Sequence, residues 1–113
     1  SEKAFDFLLK LKGIIGELEI VHIIRKKLTA RDMRKLNKKL SDTRTTCLNN
    51  KIDAEYHIYA GEISEEIIAA ARDYKATCII MGTRRKNAMS EFFSSKTAYH
   101  VVRKAHVPTL IVP

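Results

Sequence analysis

The 113 residues contain no membrane span and no secretion signal: the longest apolar runs fall far short of the ~20 residues that cross a bilayer, and Ser1-Glu2-Lys3-Ala4-Phe5-Asp6 lacks a basic start followed by an apolar core. A cytoplasmic protein is the expectation. Cysteine is scarce, and Cys47 and Cys78 form neither a CxxC pair nor a disulfide framework, so both are expected as reduced thiols. None of His22, His100 and His106 stands at metal-ligand spacing from a cysteine or carboxylate, and no Ser/His/Asp order or carboxylate pair is set by a recognisable motif. The sequence therefore predicts no metal site and no catalytic residues. No helix-turn-helix, zinc finger or aromatic-interleaved basic strand is present, which weighs against a nucleic-acid partner. Repeats, linkers and low-complexity tracts are also missing, and a chain of this length can bury about two thirds of its unfolded surface as one domain.

What the chain has in excess is positive charge. Lysine and arginine number 21 against 13 acidic residues, a net charge of +8, concentrated in Arg25 to Arg44 and Arg84 to Lys104. Solvated helix faces are the simplest reading, and an attraction for phosphates or other anions is the alternative.

Periodicity predicts alternating helices and strands. Ala4, Phe5, Leu8, Leu9 and Leu11 mark a helix over 2–12, closed by Gly13 and Gly16. Leu18 to Ile24 becomes continuously apolar, as an interior parallel strand should. Thr29-Ala30-Arg31-Asp32 reads as a helix start, and Met33, Leu36, Leu40 and Cys47 recur at helical spacing up to Asn49-Asn50. Ile52, Ala54, Tyr56 and Ile58 alternate with polar residues, predicting an edge strand. A helix follows with Ile63, Ile67, Ala70, Ala71 and Tyr74 as its buried stripe. Thr77 to Met81 is a short strand, Ala98, Val101, Val102 and Ala105 give a last helical stripe, and Pro108 to Val112 a last strand. This αβαβαβαβ order predicts right-handed crossovers and a three-layer α/β/α domain with a doubly wound parallel sheet. The opening helix has no strand before it.

The third strand runs through Cys78-Ile79-Ile80-Met81 and stops at Gly82, followed by Thr83-Arg84-Arg85-Lys86 and, later, Ser94-Ser95-Lys96-Thr97 at a helix head. The carboxyl end of a parallel strand and the start of a helix are where open α/β sheets take anionic ligands. Here three consecutive cations stand where a phosphate cradle would carry glycines. Lys96 also opposes the helix dipole, at a cost of about 0.3 to 1 kcal/mol unless an anion lies between them.

Met81-Gly82-Thr83-Arg84 and the closing Val101-Val102-Arg103-Lys104-Ala105-His106-Val107-Pro108-Thr109-Leu110-Ile111-Val112 resemble the C-terminal half of the universal stress protein family, and Val21-His22-Ile23-Ile24 resembles its second strand. The resemblance covers essentially the whole chain, 1–113. It implies a Rossmann-like fold of the adenine nucleotide alpha hydrolase type with strand order 3-2-1-4-5, and hence a strand before the first helix whose end carries a nucleotide-holding Asp, neither of which is in this sequence. It implies an adenine nucleotide, ATP or AMP, as ligand, and a homodimer formed through the last strand, Thr109, Leu110, Ile111 and Val112. Nucleotide-binding members carry Gly-x2-Gly-x9-Gly-Ser/Thr after the fourth strand. This chain keeps Gly82 but has Arg85, Ser95 and Lys96 at the other three positions. Arginine cannot reproduce the close backbone approach that glycine permits.

The residual cleft expected from the resemblance comprises Ile23, Met81, Gly82, Thr83, Arg85, Ser95, Lys96 and Thr97. The resulting expectation is a non-catalytic stress-response or signalling module with a degenerate ATP site. The alternatives are an adenine-nucleotide binder in which Arg85 and Lys96 hold the phosphates, and a regulatory domain of a larger protein such as a transporter.

Overall fold

A computed structural model of the chain describes residues 2–82 and 95–112. Within them the order is α1 (Glu2–Lys10), β1 (Glu17–Ile24), α2 (Ala30–Asn49), β2 (Asp53–Ala60), α3 (Ile63–Asp73), β3 (Ile79–Gly82), α4 (Ser95–Lys104) and β4 (Thr109–Val112). The predicted alternation of helices and strands is the observed one. β1 pairs with β2 in parallel, from Glu17 opposite Asp53 to Ile24 opposite Ala60, and β3 pairs with β4 from Ile79 opposite Thr109 to Gly82 opposite Val112.

Helices cover both faces of the strands. α1 lies against β3 and β4 and α2 against β2, whereas α3 packs on β1, β2 and α4. On the α1 and α2 side, Leu8, Cys47, Ile52 and Ala54 form a buried cluster that Leu18, Ile20 and Ile80 join from the strands. On the other side Met81, Ala98 and Val101 are buried together, with Ile67, Ile79 and Ala105 against them. Cys47 has no exposed surface. Burial raises its thiol pKa, so it behaves as a core residue rather than a nucleophile.

Among the described residues the strands form two two-stranded sheets, β1-β2 and β3-β4, rather than one continuous sheet. This alters the expectation for β1, which was read as an interior strand. It pairs on one edge only among the described residues, and none of its residues is fully buried. β2 is an edge strand, as its alternation predicts, and its outer side is covered by Arg44, whose Nε donates to the Ala54 carbonyl at 2.8 Å and whose guanidinium meets Glu55 at 3.0 Å. A basic side chain at an exposed strand edge blocks pairing with another chain.

Helix ends follow local chemistry. Thr29 caps α2, its hydroxyl accepting from the Asp32 N–H at 3.1 Å. Glu62 precedes the acidic first turn of α3, which holds Glu65 and Glu66. It is the N-cap, accepting from the Ser64 and Glu65 backbone N–H groups, which hold its carboxyl below the usual range, the Glu65 bond most strongly. α2 and α3 share one type of exit. Ile52 N–H bonds Cys47 O and Lys51 N–H bonds Leu48 O, while Ala76 N–H bonds Ala71 O and Lys75 N–H bonds Arg72 O. Both are Schellman motifs, with Lys51 (φ 64°) and Lys75 (φ 51°) at the left-handed position where glycine is favoured. The asparagine pair at 49–50 therefore does not supply the left-handed residue.

Three finer expectations differ. α1 ends at Lys10 rather than at 12, and its last carbonyls are taken by turn N–H groups of Leu11 and Lys12. Val102 is 51% exposed, because Ala98, Val101 and Ala105 already fill the inner stripe of α4. Tyr74, at the C-cap of α3, is exposed and stacks on His57 instead of entering the core.

Candidate functional site

The carboxyl ends of parallel strands and the head of α4 define the candidate site. Gly82 is buried at the last position of β3, and Met81, 3% exposed, packs against Ala98 and Val101 of α4. A strand that ends on its own helix's core fixes where that helix begins. α4 starts at Ser95, placing Lys96 in its first turn, exposed, with Thr97 partly buried beside it. No acidic residue occupies that first turn, and Arg103 and Lys104 stand in the last. The last-turn cations suit the helix dipole, and Lys96 opposes it.

Met81, Gly82, Lys96 and Thr97 are thus held at one strand end and one helix head. Ile23 lies at the end of β1, in the other two-stranded sheet, paired with Tyr59. Thr83 and Arg85, with Arg84 and Lys86, fall outside the described residues, and of Ser95 only its place in the helix is described. Basic residues continue at the β1 end, where Arg25, Lys26 and Lys27 are all exposed. The same end carries an acidic counterweight at the start of α3, with Glu62 at the N-cap and Glu65 and Glu66 in the first turn. Its chemistry is that of a mouth combining exposed cations with the carboxylates at the start of α3.

A second constellation was not singled out by sequence reasoning. His57 lies between Glu19, whose Oε2 is 2.5 Å from Nε2, and the Tyr74 hydroxyl, 3.0 Å from Nδ1. Tyr59 donates to Asp73 at 2.6 Å, and burial, followed by that carboxylate, raises the phenol's pKa. The network ties β1, β2 and the end of α3 together on the α3 side of the sheet. Its members come from three elements, so no local spacing reveals them; the alternation of β2, which puts His57 and Tyr59 on one face, was the available signal. Among the described residues no cluster of His, Cys, Asp or Glu has the arrangement of a metal site. No described helix is long and apolar enough to cross a membrane.

A family model described as the universal stress protein family matches residues 1–113. No curated relative matches the chain in sequence. Among solved structures the chain is similar to the hypothetical protein MJ0577, with a TM-score of 0.82 and 21% identity over 98% of this chain and 85% of that one. It is also similar to the universal stress protein from Archaeoglobus fulgidus in complex with dAMP (TM-score 0.73, 19% identity, 99% and 86% covered). A universal stress protein family member from Arabidopsis thaliana with AMP bound gives a TM-score of 0.70 at 14% identity, with 98% and 75% covered. At these identities the likeness establishes the fold.

Proposed function

The chain belongs to the universal stress protein family, and from that premise we propose that it is a non-catalytic regulatory module whose adenine-nucleotide site is degenerate. The observation that carries this reading is Lys96, exposed in the first turn of α4 beyond the buried Gly82. Similar folds hold dAMP in the Archaeoglobus fulgidus protein and AMP in the Arabidopsis thaliana protein, so the architecture supports a mononucleotide. The residues of the mouth support it less: a side-chain cation replaces a backbone-lined approach, and Arg85 and Ser95 stand where glycines would let the chain come close to phosphate.

Calorimetry with ATP, ADP and AMP tests the reading. Little or no heat is expected from the unaltered chain. The triple change Arg85→Gly, Ser95→Gly, Lys96→Thr, which rebuilds the glycine pattern, is expected to bring nucleotide binding into the measurable range. Tight binding by the unaltered chain, lost in Arg85→Ala with Lys96→Ala, would refute degeneracy and establish a site that holds phosphate through cations.

Two structural features extend the proposal. β4 is a short edge with Leu110 and Ile111 exposed at 41% and 37%, which supports homodimerisation through Thr109 to Val112. Light scattering should give twice the monomer mass, and Ile111→Lys should shift it to the monomer. Among the described residues β1 and β3 each pair on one edge only, which supports one further parallel strand between the two half-sheets, preceding α1. Hydrogen exchange on a longer gene product should then show added protection in β1 and β3, and unchanged protection would count against that strand.

A further inference from the structure

At the end of the molecule opposite the strand-end mouth, the last turns of α3 and α4 and the residues after them form a partly open cavity of about 200 Å³, with Ile68, Ala71, Ala76, Ala105 and Val107 as its apolar lining and the exposed Arg72, Lys75 and His106 at its rim. The topology sets its position: α3 runs back from the carboxyl end of β2 toward the start of β3, and α4 runs back toward the start of β4. The floor is apolar and the rim is cationic. Arg72 donates through Nη2 to Nε2 of His106 at 3.0 Å, a neutral acceptor where a guanidinium ordinarily finds a carboxylate. No described acidic group forms an ion pair with Arg72 or Lys75. The nearest acidic residue in sequence, Asp73, accepts from Tyr59.

At α3 the exit hydrogen bonds take up carbonyls that would otherwise weaken this positive character. Carbonyls at the end of α3 repel an anion when they are bare. Here Ala70 O, Ala71 O and Arg72 O accept from the N–H groups of Tyr74, Ala76 and Lys75, and Val101 O of α4 accepts from Ala105. The Schellman exit that holds Lys75 at φ 51° also places this lysine at the rim.

We propose that this cavity is a binding site for a small monocarboxylate with a short apolar body, its carboxylate held by Arg72 and Lys75 and its hydrocarbon seated against Ile68, Ala71, Ala76, Ala105 and Val107. At the ~30 Å³ that a water occupies in the liquid, the volume equals roughly seven waters, the size of a five- or six-carbon acid. An apolar floor selects such an acid over inorganic phosphate, which would leave that surface unfilled while surrendering its hydration. His106 accepts from Arg72 in the empty site and turns aside when the carboxylate takes the guanidinium. The site is independent of the nucleotide mouth.

Titration of the ¹⁵N-labelled chain with pivalate, followed by amide shifts, tests the proposal. Saturable shifts are expected at Ala71, Ala76, Ala105, His106 and Val107, with little movement at Gly82 and Lys96. Arg72→Gln and Lys75→Gln should each weaken binding about tenfold, and Ala76→Leu, which fills the cavity and keeps the charges, should abolish it; a thermal melt of each variant confirms folding. Neutral tert-butanol and sodium chloride should produce no saturable response. Equal shifts with chloride, phosphate or the alcohol, or unchanged binding in the Arg72 and Lys75 variants, would overturn the proposal.

Discussion

Val101→Ala measures how firmly α4, and with it the head of the candidate site, is fixed to β3. Val101 has no exposed surface and shares its cluster with Met81 and Ala98. Removing two carbons forfeits about 1.6 kcal/mol of burial at ~0.8 kcal/mol per methylene. A residual cavity of roughly 50 Å³, at about 24 cal/mol per Å³, adds about 1.2 kcal/mol. Alanine's better helix propensity returns about 0.6 kcal/mol, leaving a loss of about 2 kcal/mol. For a domain of this size that lowers Tm by roughly 8–12 °C. Val102→Ala is the control, because it changes the same atoms on the next residue at 51% exposure; it should fall within about 0.5 kcal/mol of the parent. Urea unfolding followed by circular dichroism reads both, with the slope unchanged and only the midpoint moving. Equal midpoints for the two variants, or a larger loss in Val102→Ala, would show that α4 is rotated from the orientation described and that the Met81 contact does not seat the helix.

Three further outcomes follow from local chemistry. Lys51→Gly relieves a left-handed residue at the end of α2 and should raise stability by about 0.5–1 kcal/mol, read by the same urea midpoint; a loss would mean that the lysine side chain contributes more than the strain costs. The Thr109 hydroxyl is buried with no hydrogen-bond partner among the described residues, so Thr109→Val, which keeps the shape, should stabilise by about 1 kcal/mol, and destabilisation would reveal a partner for that oxygen. Glu62 has a depressed pKa in the folded state, so its contribution is present above the unfolded value of 4.5 and is lost as pH falls through the lower folded value; Glu62→Gln should flatten the acid limb of stability below about pH 5 and leave a shallower slope, and an unchanged slope would refute the cap's role.

The order of elements was legible because each depends on near neighbours. The Thr29 cap, the alternation from Ile52 to Ile58 and the helical stripe through Ala98, Val101 and Ala105 are local patterns with periods set by backbone geometry. The strand-end placement of Met81 and Gly82 was legible for the same reason. Less accessible were the ends. α2 passes through its asparagine pair and turns at Lys51, because the Schellman hydrogen bonds and the Ile52 anchor outweigh the residue preference at the left-handed position. Val102 read as core on periodicity, yet a helix packed on one sheet buries a stripe that Ala98, Val101 and Ala105 already fill.

By itself the sequence determined the αβ alternation, the parallel sense of the pairing, the positive charge and the departure of Arg85, Ser95 and Lys96 from a glycine-lined cradle. These are properties of residue type and spacing. Tertiary structure decided which distant groups meet: Glu19 with His57 across β1 and β2, Arg72 with His106 across α3 and α4, and the separation of the strands into β1-β2 and β3-β4. Such contacts join residues tens of positions apart, and only the packing of helices on both faces of the strands brings them within hydrogen-bonding distance.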